Sequence, residues 1–130
     1  MSRSIAQFSL LVREYDEAID FYVRVLGFEL VEDTTLGDGK RWVRVRPAGE
    51  AGAALLLARA TTEAQRRLVG QQAAERVWLF LNTDDFARDY RRLREQGVEI
   101  VRERSEEAYG TVCVFADLYG NRWDLIERNE

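Results

Sequence analysis

A chain of 130 residues with 46% apolar and 32% charged side chains can bury one useful core and is too apolar to be disordered. Its net charge of −4 argues against a nucleic-acid backbone or an anionic membrane as the main partner, and no apolar run approaches the roughly 20 residues a spanning helix needs. The start Met-Ser-Arg-Ser-Ile has no signal-peptide core, so a cytoplasmic location is expected; Cys113 is the only cysteine and there is no histidine, which excludes an intramolecular disulfide, a Cys-x-x-Cys site and any Ser/His/Asp or Cys/His catalyst.

Residues 5–12 alternate with period 2, Phe8, Leu10 and Val12 on one side and Gln7, Ser9 and Leu11 on the other, which predicts a strand. Asp16 offers an N-cap or first-turn acid to a helix carrying Ala18, Phe21, Tyr22 and Val25 at helical spacing, ended by Gly27. A strand is expected at about 28–34, a hairpin turn at Gly37-Asp38-Gly39, and an alternating strand over 41–46 that sets Val43 and Val45 against Trp42, Arg44 and Arg46. Pro47 to Gly52 is turn-rich, and a short apolar strand spans 53–58. The first half therefore reads βαβββ.

Residues 60–75 lack strand alternation and suit a linker with a short helix or a loop. The pattern then restarts. Val77, Leu79 and Leu81 alternate with Trp78, Phe80 and Asn82; Asp84 and Asp85 cap a helix with Phe86, Tyr90 and Leu93; Gly97 closes it. Strands at about 98–102, 109–116 and 122–127 complete a second βαβββ. Leu26-Gly27-Phe28-Glu29-Leu30 and Gln96-Gly97-Val98-Glu99-Ile100 place helix end, glycine and strand start in the same order, an internal repeat offset by 70 residues. Counted back from each glycine, the first helix is one residue longer, so Gln7 corresponds to Trp78. Two βαβββ modules, at 5–59 and 76–127 with the linker 60–75 between them, make the class α+β.

In the closing stretch, Tyr119-Gly120-Asn121 reads as a tight turn in which Gly supplies a positive φ and Asn tolerates one. The strand after it sets Arg122, Asp124 and Ile126 on one side and Trp123, Leu125 and Glu127 on the other. A mid-strand carboxylate such as Asp124 is costly without a partner, which makes it the leading functional residue.

The paired repeat, the run from Val12 through Phe21-Tyr22 to Leu26-Gly27-Phe28, and the ending Asp117-x-x-Gly120-Asn121-Arg122-Trp123-Asp124-Leu125 together resemble the vicinal oxygen chelate superfamily of glyoxalase I, bleomycin-resistance proteins and extradiol dioxygenases. The resemblance implies two curved mixed sheets forming a cup with helices outside, a ligand site inside, and frequent homodimerisation. It does not imply one reaction. Metal-using members draw ligands from the first and last strands of each half. Carried over, those positions are Gln7, Trp78, Asp124 and a residue within Ala54-Leu55-Leu56-Leu57, so only Gln7 and Asp124 could serve if a divalent metal is bound. A protein without a cofactor is expected.

Three functions stand side by side. The first is metal-free binding of a planar or amphipathic small molecule by Gln7, Trp42, Arg44, Trp78, Phe80 and Asp124 on the inward sheet faces. The second is a lyase or dioxygenase-type enzyme with Asp124 as ligand or base and Tyr109 or Arg44 as partner. The third is a non-catalytic structural dimer with a filled cup. Each candidate also has a purely structural role open to it. Asp124 could pair with Arg44 or another strand arginine, Gln7 could bond a neighbouring strand, the aromatic residues could fill the sheet interior, Arg44 and Arg46 could protect an edge, and Tyr109 could be a wet turn residue. Cys113, in an apolar strand, reads as an inert buried thiol.

Overall fold

The computed structural model describes residues 1–49 and 52–130, and in it the two glycine-led repeats become two four-stranded sheets of the same order. The chain divides into two compact units, Met1–Val69 and Gly70–Glu130. In the first, β1 (Gln7–Val12), β2 (Glu29–Gly37), β3 (Lys40–Arg46) and β4 (Ala54–Arg59) form a sheet of order β1-β4-β3-β2. β1 runs parallel to β4, while the β3·β4 and β2·β3 pairs are antiparallel. The hairpin between β2 and β3 has Asp38 at φ 53° and Gly39 at φ 76°, the paired positive values that let a two-residue turn follow the twist of its strands. Of the turn expected from Pro47 to Gly52, residues 50 and 51 lie outside the described residues.

The first helix departs from the regular α-helix that the spacing predicts. It begins as α1 (Tyr15–Ile19) and continues as a π-helical segment over Asp20–Val25, with Leu26 N–H donating to the Phe21 carbonyl at 2.9 Å. That five-residue step absorbs the one residue by which this repeat exceeds the other. Gly27 then reverses the chain at φ 81°. Tyr15, Ala18, Tyr22 and Val25 are buried, and α1 packs on β3 and β4. The strand residues beneath, Leu10, Val12, Val43, Val45, Leu55 and Leu57, are almost wholly buried, whereas Phe8, also expected to face the helix, is 38% exposed beside the open start of β1. α2 (Glu63–Leu68) lies within the expected linker, its Thr62 hydroxyl accepting from the Gln65 N–H at 3.1 Å as an N-cap.

In the second unit, β5 (Val77–Asn82), β6 (Ile100–Glu107), β7 (Gly110–Ala116) and β8 (Arg122–Arg128) repeat the topology as β5-β8-β7-β6, with β5 parallel to β8. α3 (Phe86–Glu95) is capped by Asp85, which accepts from the Arg88 N–H at 3.1 Å, and by Glu127, whose Oε1 accepts from the Phe86 N–H at 2.6 Å. The second bond fixes the sides of β8. Glu127 reaches the helix, so Trp123 and Leu125 face α3 with it, and Asp124 and Ile126 face away. Trp123 stacks on Phe115 at 6.1 Å between ring centroids, within the buried core of this unit.

Candidate functional site

The turn before β8 is built differently from the sequence expectation. Gly120 has a positive φ of 99°, but Asn121 does not share it. Asn121 is instead 2% exposed and acts as a polar bolt: its Nδ2 donates to Asp117 Oδ2 at 3.0 Å, and its Oδ1 accepts from the Gln72 N–H at 3.1 Å. Asp117 Oδ1 in turn accepts from the N–H groups of Tyr119 and Asn121, each at 2.9 Å. Sequence reading found the turn but missed this network, because Gln72 stands 49 positions away from Asn121. The network holds the turn that leads into β8, the strand that carries Asp124.

Asp124 lies beside Phe80 on β5 and Val114 on β7, and Val114 lies opposite Arg102 on β6. Paired residues point to one side, so Phe80, Asp124, Val114 and Arg102 form a row across the face turned away from α3. Phe80 is 66% exposed, an aromatic ring presented outward next to the carboxylate. Asp124 Oδ1 is buried and has no hydrogen-bond partner among the described residues. Burial pushes its carboxyl above the usual Asp range, against the opposing pull of Arg102 and Arg128. Those arginines, unremarked in the sequence, are the charges that act on Asp124.

Arg44 belongs to the equivalent face of the first unit and is already engaged there. Its Nε donates to Gln7 Oε1 at 3.0 Å and its Nη1 to Glu32 Oε1 at 3.4 Å. Gln7 is thus bonded across β4 to a side chain of β3, and Trp42, two residues from Arg44 on the same face, is half-buried. Arg46 follows on that face, with its Nε buried and unpaired among the described residues. Trp78 sits where β5 carries one extra residue between Val77 and Leu79, and it meets the core Trp123 edge to face at 5.7 Å. That contact is the packing role the sequence left open for the aromatic residues, although the bulge itself was not foreseen.

Tyr109 occupies the turn between β6 and β7, 49% exposed, and its carbonyl accepts from the Asn129 N–H at 3.0 Å. Five residues of extended strand separate it from Val114, roughly 16 Å at a strand's rise, so it does not stand beside Asp124. Cys113 is fully buried in β7, and burial raises its thiol to about 12, which leaves it protonated and unreactive.

A divalent metal does not fit these residues. The guanidinium on Gln7 Oε1 places a positive charge at the oxygen that would have to face the cation, and the last strand of the first unit offers only Ala54 and leucines at the corresponding position. Among the described residues, no three His, Cys, Asp or Glu side chains gather as a metal would require.

Comparison with known proteins agrees with this architecture. The family model described as Glyoxalase/Bleomycin resistance protein/Dioxygenase superfamily matches residues 4–125. An uncharacterized protein of Shewanella frigidimarina (strain NCIMB 400) is 54% identical over 100% of this chain and 97% of its own. Among solved structures, UcmS2 superposes with a TM-score of 0.83 at 28% identity, covering 97% of this chain and 98% of that one. TnmS3, an antibiotic binding protein from Streptomyces sp. CB03234, superposes with a TM-score of 0.79 at 32% identity, covering 99% of each chain. No helix is long and apolar enough to cross a membrane among the described residues. With both βαβββ sheets, the closing Asp-x-x-Gly-Asn turn and the full-length match in agreement, the chain belongs to the glyoxalase/bleomycin resistance protein/dioxygenase superfamily.

Proposed function

We propose that this protein binds a small organic molecule, without a metal or other cofactor, on the face of the second unit that carries Phe80 and Asp124. The observation that carries this reading is the buried, unpaired Asp124 oxygen beside an outward-facing aromatic ring. Such an oxygen gains a hydrogen bond when a donor arrives, and the ring supplies apolar contact. The ligand chemistry that matches is a planar or amphipathic molecule carrying an N–H, O–H or cationic group. The 32% identity to TnmS3, described as an antibiotic binding protein, supports the same class of function.

A thermal-shift screen of a panel of aromatic antibiotics tests the proposal. At least one compound should raise the melting temperature of the parent, Phe80→Ala should weaken its binding with little loss of stability, and Asp124→Asn should change which compounds bind. If no compound shifts the parent, the binding reading fails and a structural role takes its place. Trp78→Ala is the poorer probe, because that side chain packs on Trp123 and its loss lowers stability directly.

A second reading rests on the raised Asp124 carboxyl, which is a stronger base than an ordinary aspartate and could take a proton from a bound substrate. Chemical turnover of a bound compound, lost in Asp124→Asn, would favour it over binding alone. We also propose a homodimer, since β1, β2, β5 and β6 are sheet edges in their own units. Light scattering that gave only monomer across a wide concentration range would contradict the dimer.

A further inference from the structure

The first unit carries a cleft at the C-terminal end of the parallel β1–β4 pair. Val12 and Arg59 are register partners there, and the chain leaving each strand, with α2, encloses a cleft of about 430 Å³ lined by Arg13, Glu14, Arg59, Thr61 and Arg66 as well as by apolar residues. Three guanidinium groups therefore meet one carboxylate in a chain whose net charge is −4.

Arg13 pairs with Glu17 at 3.3 Å, whereas the pairs of the other two arginines are long: Arg59 to Glu14 at 3.8 Å and Arg66 to Glu63 at 3.7 Å. Pairs of that length with solvent-exposed partners are weak and readily exchanged for a better anion. Arg59 is also held in place before any ligand arrives, since its guanidinium lies over the Tyr15 ring at 5.4 Å from the centroid. Pre-placed forked donors are what recognise phosphate oxygens in pairs. The volume falls in the range of small-molecule pockets and exceeds what a single inorganic ion fills.

We propose that this cleft binds the phosphate groups of a small phosphate-bearing molecule, with Arg59 as the fixed contact and Arg13, just after β1, and Arg66, on α2, closing on it. All the lining residues belong to the first unit, whereas Asp124 and Phe80 belong to the second.

Titration calorimetry of the full chain with inorganic pyrophosphate tests this. One saturable site is expected, weakening as salt is raised. Arg66→Ala, on an exposed helix surface, and Arg59→Ala should each weaken it about tenfold or more, the worth of a charge-assisted bond. Arg24→Ala, which removes the same charge from a position outside the cleft, should leave it unchanged. No saturable binding, a parental affinity in Arg66→Ala, or an equal loss in Arg24→Ala would overturn the site. Succinate binding as tightly as pyrophosphate would overturn the assignment to phosphate. Arg66→Ala keeps the test decisive should Arg59→Ala unfold.

Discussion

Replacing Asn121 by alanine removes both bonds of the bolt that ties the linker to the turn before β8. The bond to Asp117 involves a carboxylate and is worth about 1.5–3 kcal/mol, and the bond from the Gln72 amide about 0.5–1.5 kcal/mol. Because Asn121 is 2% exposed, water does not readily replace either, so a loss of about 2–4 kcal/mol is expected. With about 2.1 cal/mol/K of unfolding entropy per residue, the 130-residue chain should lose roughly 10 °C of melting temperature. Asn121→Asp keeps the acceptor for Gln72 but turns the donor into a second carboxylate against Asp117, and should cost more. Urea denaturation followed by circular dichroism, with calorimetry for the melting temperature, measures both. An Asn121→Ala protein within about 0.5 kcal/mol of the parent, the scatter of ordinary surface substitutions, would refute the bolt and leave Asn121 as a simple turn residue.

Gly70 has a φ of 83°, and a Cβ there would stand 2.1 Å from the Tyr119 carbonyl oxygen, so Gly70→Ala should lose at least about 1 kcal/mol by urea denaturation, from the backbone conformation alone. The raised Asp124 carboxyl gives a pH signature. A group whose pKa rises on folding contributes stability that is full below the ordinary Asp range and is lost as pH rises through the raised value. Asp124→Asn avoids that loss, so its melting temperature relative to the parent should climb from acid to neutral pH, and a pH-independent difference would contradict the desolvation. Elemental analysis of the purified protein should find no stoichiometric transition metal; about one metal per chain, lost in Asp124→Ala, would overturn the metal-free reading.

The paired topology was legible because its signals are local. Gly27 and Gly97 mark the same helix-to-strand reversal 70 residues apart, and the alternation of 41–46 and 122–127 assigns sides without reference to distant residues. What escaped depends on contacts between strands. The Arg44 bond to Gln7 spans 37 positions and exists because β4 inserts between β1 and β3, an order that periodicity does not reveal. The Trp78 bulge depends on how β5 pairs with β8, and alternation assumes there is none. The π-helical segment was foreshadowed by the one-residue excess in the first repeat, although helical spacing alone could not tell an insertion from a longer helix. Asp124 stood out because a mid-strand carboxylate is rare chemistry in any context, but its governing charges, Arg102 and Arg128, became visible only with the sheet assembled.

The central claim is that Asp124 waits, desolvated and unpaired, for a donor from a ligand. NMR titration of its carboxyl carbon, in the free protein and with a compound from the antibiotic panel bound, tests this most directly. The account predicts a carboxyl that titrates above the ordinary Asp range when free and moves down on binding, because a bonded donor favours the ionised form. A carboxyl that titrates normally in the free protein, or that is unmoved by a compound bound at saturation, would contradict it.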